Sequence, residues 1–302
     1  MKKLGPGHRV VPCALCGGTA TRRIYTKFEL PIAKCRRCGL VYANPRGAEA
    51  DILQRYNRDY FWNEYLPAAG APDGRIDYEF IDGRNAPMLA LIRQHAPNAR
   101  RLLEVGSGAG LFLKAAERAG WDVAGVELSA DGAAFAREHL GLDVREERAE
   151  AMSFPAGSFD VVAMMEVIEH LFDPRAVLDA VHRALTPRGL LVITTPNFNA
   201  LSRHAMGVDW AVVSPLEHMY YFTGRTLGRL LSACGFAVVA DRPVLDIPPE
   251  FVMNPASTHA PDGWRTRLYR GFVRRYGMEL RQWVQRRGLA ETLVMIARRS
   301  ES

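Results

Sequence analysis

Three groups of residues in this 302-residue chain have the types and spacing to do chemistry. The first is Leu102-Leu103-Glu104-Val105-Gly106-Ser107-Gly108-Ala109-Gly110, followed by Leu111-Phe112-Leu113. An apolar run that meets closely spaced glycines and then a helical pattern reads as a strand, a tight turn and a helix N-terminus. Glycines let a ligand approach the backbone, and the free N–H groups of the helix end favour an anionic group. About twenty residues on, Glu127 ends the next apolar run, where a carboxylate can accept hydrogen bonds from ribose hydroxyls. The second group is Glu166-x-x-Glu169-His170, with His218 further along. On a helix, residues three and four apart share a face, so Glu166, Glu169 and His170 are expected to converge. Two carboxylates and an imidazole suit Mg²⁺ or Mn²⁺; without a metal, His170 or His218 could serve as a base or orient an acceptor. The alternative is that His170 caps or packs its helix while Glu169 is solvated.

The third group is Cys13-x-x-Cys16 and Cys35-x-x-Cys38, two pairs separated by eighteen residues, with Gly17 and Gly39 after the second cysteine of each pair. Four thiolates at this spacing make a tetrahedral structural Zn²⁺ site; free thiols or disulfides are the alternatives. Such a zinc has no open position, so no catalysis is assigned to it. Cys234, beside Gly235, reads as a small buried residue.

The glycine spacing separates two cofactor classes. A dinucleotide fold wants Gly-x-Gly-x-x-Gly, whereas here Leu111 occupies the third glycine position. Glu104, just before the turn, would repel a pyrophosphate but could assist a cationic amino-acid ligand. S-adenosylmethionine (SAM) carries an ammonium, a carboxylate, a sulfonium and a ribose. A turn that only packs a helix on a sheet is the alternative.

These groups need a scaffold. Apolar runs Arg101–Val105, Val123–Glu127, Phe159–Met164 and Leu190–Thr194 read as buried strands, separated by helical patterns at 111–119, 130–140 and 174–185. Ala237–Ala240 and Thr292–Ala297 would be the last two strands, with an antiparallel ending open. Strands alternating with helices imply an α/β fold with a doubly wound, mostly parallel, Rossmann-like sheet, here expected to have seven strands. A zinc ribbon at 1–45 and a connector at 46–75 precede the main domain at 76–302, which carries a basic helical insertion at 262–288. The connector is aromatic at Tyr56, Tyr60, Phe61, Trp62 and Tyr65. Hydrophobic residues are 48% and charged residues 24%, enough apolar material for a sizeable core. No apolar run approaches a membrane span, and Met1-Lys2-Lys3 leads into Gly5-Pro6-Gly7-His8 rather than a secretory leader, so the cytoplasm is the expected location.

With Asp173-Pro174, Leu185-Thr186-Pro187-Arg188-Gly189 and Ile193-Thr194-Thr195-Pro196-Asn197 in this order, the chain resembles class I SAM-dependent methyltransferases of the methyltransferase 23 type. That group includes ubiquinone-pathway O-methyltransferases. The resemblance implies that Glu104, Gly106, Ser107, Gly108 and Gly110 line the methionine end of the cofactor. It also implies that Glu127 holds the ribose, Leu128 flanks adenine, Glu150 lies by the adenine edge and Glu166 lies near the sulfonium. Some ubiquinone-pathway enzymes, and those that methylate the terminal ribose of small RNAs, use Glu-x-x-Glu-His as metal ligands. The RNA enzymes add a histidine for which His218 is the counterpart. The ribbon, with Leu40–Pro45 and the aromatic connector, is similar to methyltransferases of surface-polysaccharide gene clusters.

The expected activity is methyl transfer to a small-molecule or glycan acceptor, which could be lipid-linked, with O-methylation favoured and Glu169, His170 and His218 on the acceptor side. RNA methylation and a non-catalytic regulatory role are the alternatives. Trp210, Tyr220, Tyr221 and Phe222 either wall an acceptor pocket or form aromatic core. Residues 265–287 hold eight Arg and one Glu, a local +7 that leaves −1 for the remainder of a chain whose net charge is +6. Nucleic acid is therefore the lesser expectation. This stretch could lie on an anionic inner membrane face, grip phosphates, or pack on the domain with a solvated Arg face. The oligomeric state is not legible.

Overall fold

The computed structural model describes residues 8–245, 252–253 and 263–300. The expected ribbon's first seven residues, position 262 of the insertion and the last two of the chain lie outside them. At the N-terminus, β1 (Thr21–Lys27), β2 (Leu30–Cys35) and β3 (Val41–Ala43) form an antiparallel meander. The main sheet comprises β4 (Arg101–Val105), β5 (Asp122–Glu127), β6 (Val144–Glu146), β7 (Phe159–Met165), β8 (Leu185–Pro196), β10 (Phe236–Ala240) and β11 (Thr292–Arg299). Its order is β10-β11-β8-β7-β4-β5-β6. The strands from β8 to β6 pair in parallel, and β11 pairs antiparallel with both β8 and β10.

The central strands read as unbroken apolar runs because helices cover both faces. Leu102, Leu103, Val161, Val162, Leu191 and Val192 are fully buried. The chain winds outward from β4 in both directions, through β5 and β6 on one side and β7 and β8 on the other. This makes the carboxyl end of β4 the switch point where ligands bind in such sheets. Three helices, Leu111–Arg118, Ala130–Glu138 and Pro174–Ala184, lie where their periodicity predicts.

A remaining strand, β9 (Tyr220–Tyr221), joins the ribbon. It pairs antiparallel with β3, Val41 opposite Tyr221 and Tyr42 opposite Tyr220, and the Ala43 amide donates to the Met219 carbonyl at 2.9 Å. Cys13, Leu40 and Tyr42 share one apolar core with Val177, Phe222 and Leu230 of the main domain. Arg175 donates to the carbonyls of Ala14 and Leu15, and Arg229 to that of Cys38.

The basic insertion is a helix, Trp264–Arg286, continuous through Gly271 and Gly277 despite the propensity cost of both. Tyr269, Val273 and Val284 bury one face of it against Phe198, Trp210 and Val213. Trp210, Tyr220, Tyr221 and Phe222 are all at most 3% exposed, so of the two readings of these aromatics the core one holds. Among the described residues, no helix is long and apolar enough to cross a membrane.

Candidate active site

The glycine loop sits at the carboxyl end of β4. Gly106, Gly108 and Gly110 adopt φ of 74°, 55° and 76°, the left-handed region that only glycine enters freely. The amides of Gly106 and Ser107 both donate to the Val126 carbonyl, at 2.7 and 3.1 Å. Glu127 closes the loop from β5: its two oxygens accept from the amides of Gly108 and Ser129, each at 2.7 Å. Burial raises its carboxyl, and those amides partly offset the rise. Glu104 is 3% exposed, and its Oε2 has no partner, nor has the buried Oγ of Ser107. Burial first, then the neighbouring Glu127, push the Glu104 carboxyl well above the usual range. Buried acceptors without donors beside a glycine cradle fit a cationic ligand that donates hydrogen bonds, as the ammonium of SAM does. Glu104, Gly106 and Ser107 open with Tyr65, Glu166 and Asn197 onto a cavity of ≈ 1090 Å³.

Residues 166–170 are not helical, contrary to the expectation from their spacing. Glu166 has φ of 56°, and a turn follows in which the His170 amide donates to the Val167 carbonyl at 2.9 Å. The left-handed residue at the end of β7 prevents a helix from starting there. Glu166 lines the cavity, while Glu169 and His170 meet His218. One ligand atom from each of these three lies within 4.8 Å of the others. None of the three lines the cavity, and Glu166 is not part of their cluster. Burial raises Glu166 to about 7, with the Thr194 hydroxyl opposing.

The cluster is finely oriented. Glu169 is 1% exposed; its Oε2 accepts from the Thr195 hydroxyl at 2.8 Å, and its Oε1 has no hydrogen-bond partner. His170 Nδ1 lies 3.0 Å from the Glu217 carbonyl and 3.1 Å from the Tyr56 hydroxyl, and His218 Nδ1 lies 2.7 Å from the Val212 carbonyl. A carbonyl only accepts, so in both rings Nδ1 carries the proton and Nε2 keeps its lone pair. Nε2 of His170 is 3.7 Å from Glu169 Oε1, and the two rings cross at 72° with centroids 4.7 Å apart. Burial and the His218 ring lower His170 to about 3, and burial lowers His218 also, so both imidazoles are neutral at physiological pH. Burial, reinforced by Glu166, raises Glu169 well above the carboxylate range. Two neutral imidazoles anchored through Nδ1 and a carboxylate oxygen without a donor are the donor set of a divalent cation.

The connector roofs both groups. Asn57 caps a helical stretch that runs from Arg58 to Ala69 and whose middle, Phe61–Tyr65, is a π-helix, a form frequent at functional sites. Tyr56 reaches His170 at one end, and at the other the Tyr65 hydroxyl accepts from the Ala109 amide at 3.3 Å. A Cβ at Gly108 would stand 1.9 Å from that hydroxyl. Sequence reasoning marks these tyrosines as aromatic connector, not as site residues; the four- and five-residue steps from Tyr56 through Tyr60 to Tyr65 are the available signal. Leu128 is 37% exposed, and Leu128 and Glu150 lie outside the cavity lining. Glu150 accepts from the Phe172 amide at 3.1 Å and pairs with Arg148, which also holds Glu49 of the connector.

Cys13, Cys16, Cys35 and Cys38 converge with all four Sγ atoms within 4.8 Å. Cys13 and Cys38 are 3.4 Å apart at sulfur, Cys16 and Cys35 3.6 Å. Tetrahedral ligands about 2.3 Å from Zn²⁺ stand ~3.8 Å apart, so the set fits that ion. The amides of Gly17 and Gly39 close the two knuckles on the carbonyls of Cys13 and Cys35.

A doubly wound sheet with an acidic residue, a glycine cradle and a second acid on the neighbouring strand defines a Rossmann-like methyltransferase domain. The family model described as "Methyltransferase domain" (methyltransferase 23) matches residues 75–241, more than half of the chain, and the chain belongs to that family, whose cofactor is SAM. It is similar to the ubiquinone biosynthesis O-methyltransferase of Cereibacter sphaeroides, 38% identical over 36% of this chain and 47% of the relative. The enzyme of that name from Methylococcus capsulatus is 36% identical over 42% of this chain and 55% of the relative. The chain thus spans about half the length of the curated relatives it matches. In fold it is similar to a SAM-dependent methyltransferase from Archaeoglobus fulgidus, with TM-score 0.52, 19% identity, and coverage of 78% of this chain and 99% of that one. One from Thermotoga maritima gives TM-score 0.51 and 17% identity over 80% of this chain and all of the other.

Proposed function

We propose that this chain transfers the methyl group of SAM to an oxygen of a small-molecule acceptor, a class that includes glycans and lipid-linked compounds. SAM supplies an electrophilic methyl on a sulfonium. Glu104 and Ser107, with unused acceptors on the cradle, bind the amino-acid end, and Glu127, which keeps further lone pairs beyond its two amide bonds, binds the ribose. Gly106, Gly108 and Gly110 allow the close backbone approach, Glu166 sits toward the sulfonium, and Leu128 and Glu150 border the adenine. Tyr56 and Tyr65 exclude water from above, which strengthens the electrostatics beneath them.

The observation that carries O-methylation is the pair of neutral imidazoles with free Nε2 facing buried Glu169. An oxygen acceptor must lose its proton; the Nε2 lone pair of His218 is the one that takes it, while His170, lowered to about 3 by burial and the His218 ring, is too weak a base and orients the acceptor. With Glu166 outside the cluster, its one carboxylate and two imidazoles suit a borderline ion such as Mn²⁺ better than Mg²⁺, which prefers oxygen ligands; such an ion, when bound, lowers the acceptor's pKa. The four-cysteine site holds a structural Zn²⁺ and takes no part in the transfer. Incubation with methyl-labelled SAM and fractionated host lysate tests the reading: label enters the small-molecule or lipid fraction. Label confined to RNA would replace it with ribose methylation, a reading the Glu169–His170–His218 cluster also supports. No label in any fraction, with SAM bound, would leave a regulatory protein.

A further inference from the structure

The helix Trp264–Arg286 is buried on one side only. Its other side carries Trp264, Leu268, Phe272 and Tyr276, each four residues from the last, and Trp283 two turns on. At 100° per residue these five side chains fall within about a third of the circumference. They are large apolar groups left in water: Leu268 is 65% exposed, Trp264 63%, Trp283 48%, Tyr276 46% and Phe272 38%. The arginines are arranged around them. The guanidinium groups of Arg265, Arg275 and Arg287 lie over the rings of Trp264, Tyr276 and Trp283 at 5.4 to 5.5 Å, and exposed Arg267 and Arg274 border one flank. Opposing them in residues 265–287 is a single acid, Glu279.

We propose that this face docks on an anionic lipid bilayer. The charge and the apolar stripe each call for a different part of the same partner. Phosphate-bearing headgroups satisfy the arginines, and the shallow acyl boundary takes Leu268 and Phe272, with tryptophans at both ends at headgroup depth. Nucleic acid would use the charges but has no place for aliphatic Leu268. The helix is ~35 Å long and lies along the surface; it does not span. Its C-terminal end meets the large cavity, which Gln285 and Arg287 help to line, so docking sets that cavity beside the bilayer. The docking stands on this surface alone and does not depend on the acceptor chemistry.

Vesicle co-sedimentation of the full chain tests it, with pure phosphatidylcholine against phosphatidylcholine mixed with phosphatidylglycerol. The expected result is binding to the mixed vesicles alone, weakened by salt, with a blue shift of tryptophan emission. Leu268→Glu/Phe272→Glu abolishes it. Replacing Arg267, Arg274 and Arg275 by Ala weakens it on the order of a hundredfold. Unchanged SAM affinity and thermal unfolding show that the variants are folded. Absence of vesicle binding by the unaltered chain overturns the proposal whatever the variants do. So does binding that survives Leu268→Glu/Phe272→Glu. Preferential binding to polyuridylate, or a dimer that the same pair of substitutions converts to monomer, would assign the face to RNA or to a second copy instead.

Discussion

Binding of SAM should expel protons. Glu166 titrates at about 7 because it is held away from bulk water, and Glu104 lies well above the carboxylate range for the same reason, with Glu127 adding to it. At about pH 6.5 a group with that value is roughly three-quarters protonated. A cation within ~4–6 Å lowers a carboxyl by about 1 to 3 units, and a fall of ~2 leaves only a few per cent protonated. Glu166 alone then releases about 0.7 proton per SAM at that pH, and Glu104, raised for the same reason, adds to the release where the cation lowers it. Titration calorimetry in buffers of different ionisation enthalpy reads the number as the slope of binding enthalpy against buffer enthalpy. Glu166→Gln should remove about 0.7 from that slope, and Glu104→Gln should lower it further. SAM affinity should rise as pH rises toward neutrality, because fewer protons remain to be displaced. The free protein has the opposite sign: carboxyls raised in the folded state lose stability as pH climbs from their ordinary value toward the raised one, and SAM should cancel that loss. A slope of zero at pH ~6.5, or one that neither substitution changes, would refute the placement of the cationic ligand against these acids.

Four more outcomes follow from the geometry. Gly108→Ala puts a Cβ 1.9 Å from the Tyr65 hydroxyl and should abolish SAM binding by calorimetry. Gly120→Ala, also left-handed but with no atom within 4 Å, should cost only ~1 kcal/mol of stability and leave binding intact. Trp210→Phe removes the buried indole N–H that donates to Glu291 at 2.5 Å; by thermal unfolding it should cost about 2 kcal/mol, several degrees. Cys35→Ser should unseat β3 from β9 and so displace His218, two residues before β9. Turnover should fall about a hundredfold while SAM affinity holds, and equal loss of both would deny a separate acceptor side.

What could be read from the chain was what repeats locally. The apolar runs before Gly106 and before Leu128 have the length and flanking turns of buried strands, and they lie within a residue of where the pattern places them. β6 is only three residues, Val144–Glu146, two of them exposed, and a short edge strand leaves little pattern to find. Glu166-x-x-Glu169-His170 misleads because a three-and-four spacing is also compatible with a turn. What decides is the backbone of Glu166, fixed by its amide's bonds to the carbonyl and hydroxyl of Thr194, twenty-eight residues away. The convergence of Glu169, His170 and His218 therefore has a different cause from the one their spacing suggests, and Glu166 does not belong with them. Tyr65 on the glycine loop and β3 on β9 are contacts between distant segments whose own sequences are ordinary; no local period encodes them.

The β3–β9 pairing also has a consequence for synthesis. The ribbon leaves the ribosome before the main domain, and the strand that completes its sheet begins at Tyr220, 177 residues after Ala43 ends β3. At the usual elongation rates that interval is about 10 to 35 s. Throughout it the edge of β3 is an open template for any extended chain nearby. Early metal capture by the four cysteines would fix the meander's shape while it waits. In cells starved of zinc, nascent chains should lose that protection, and newly made protein should aggregate before mature protein does.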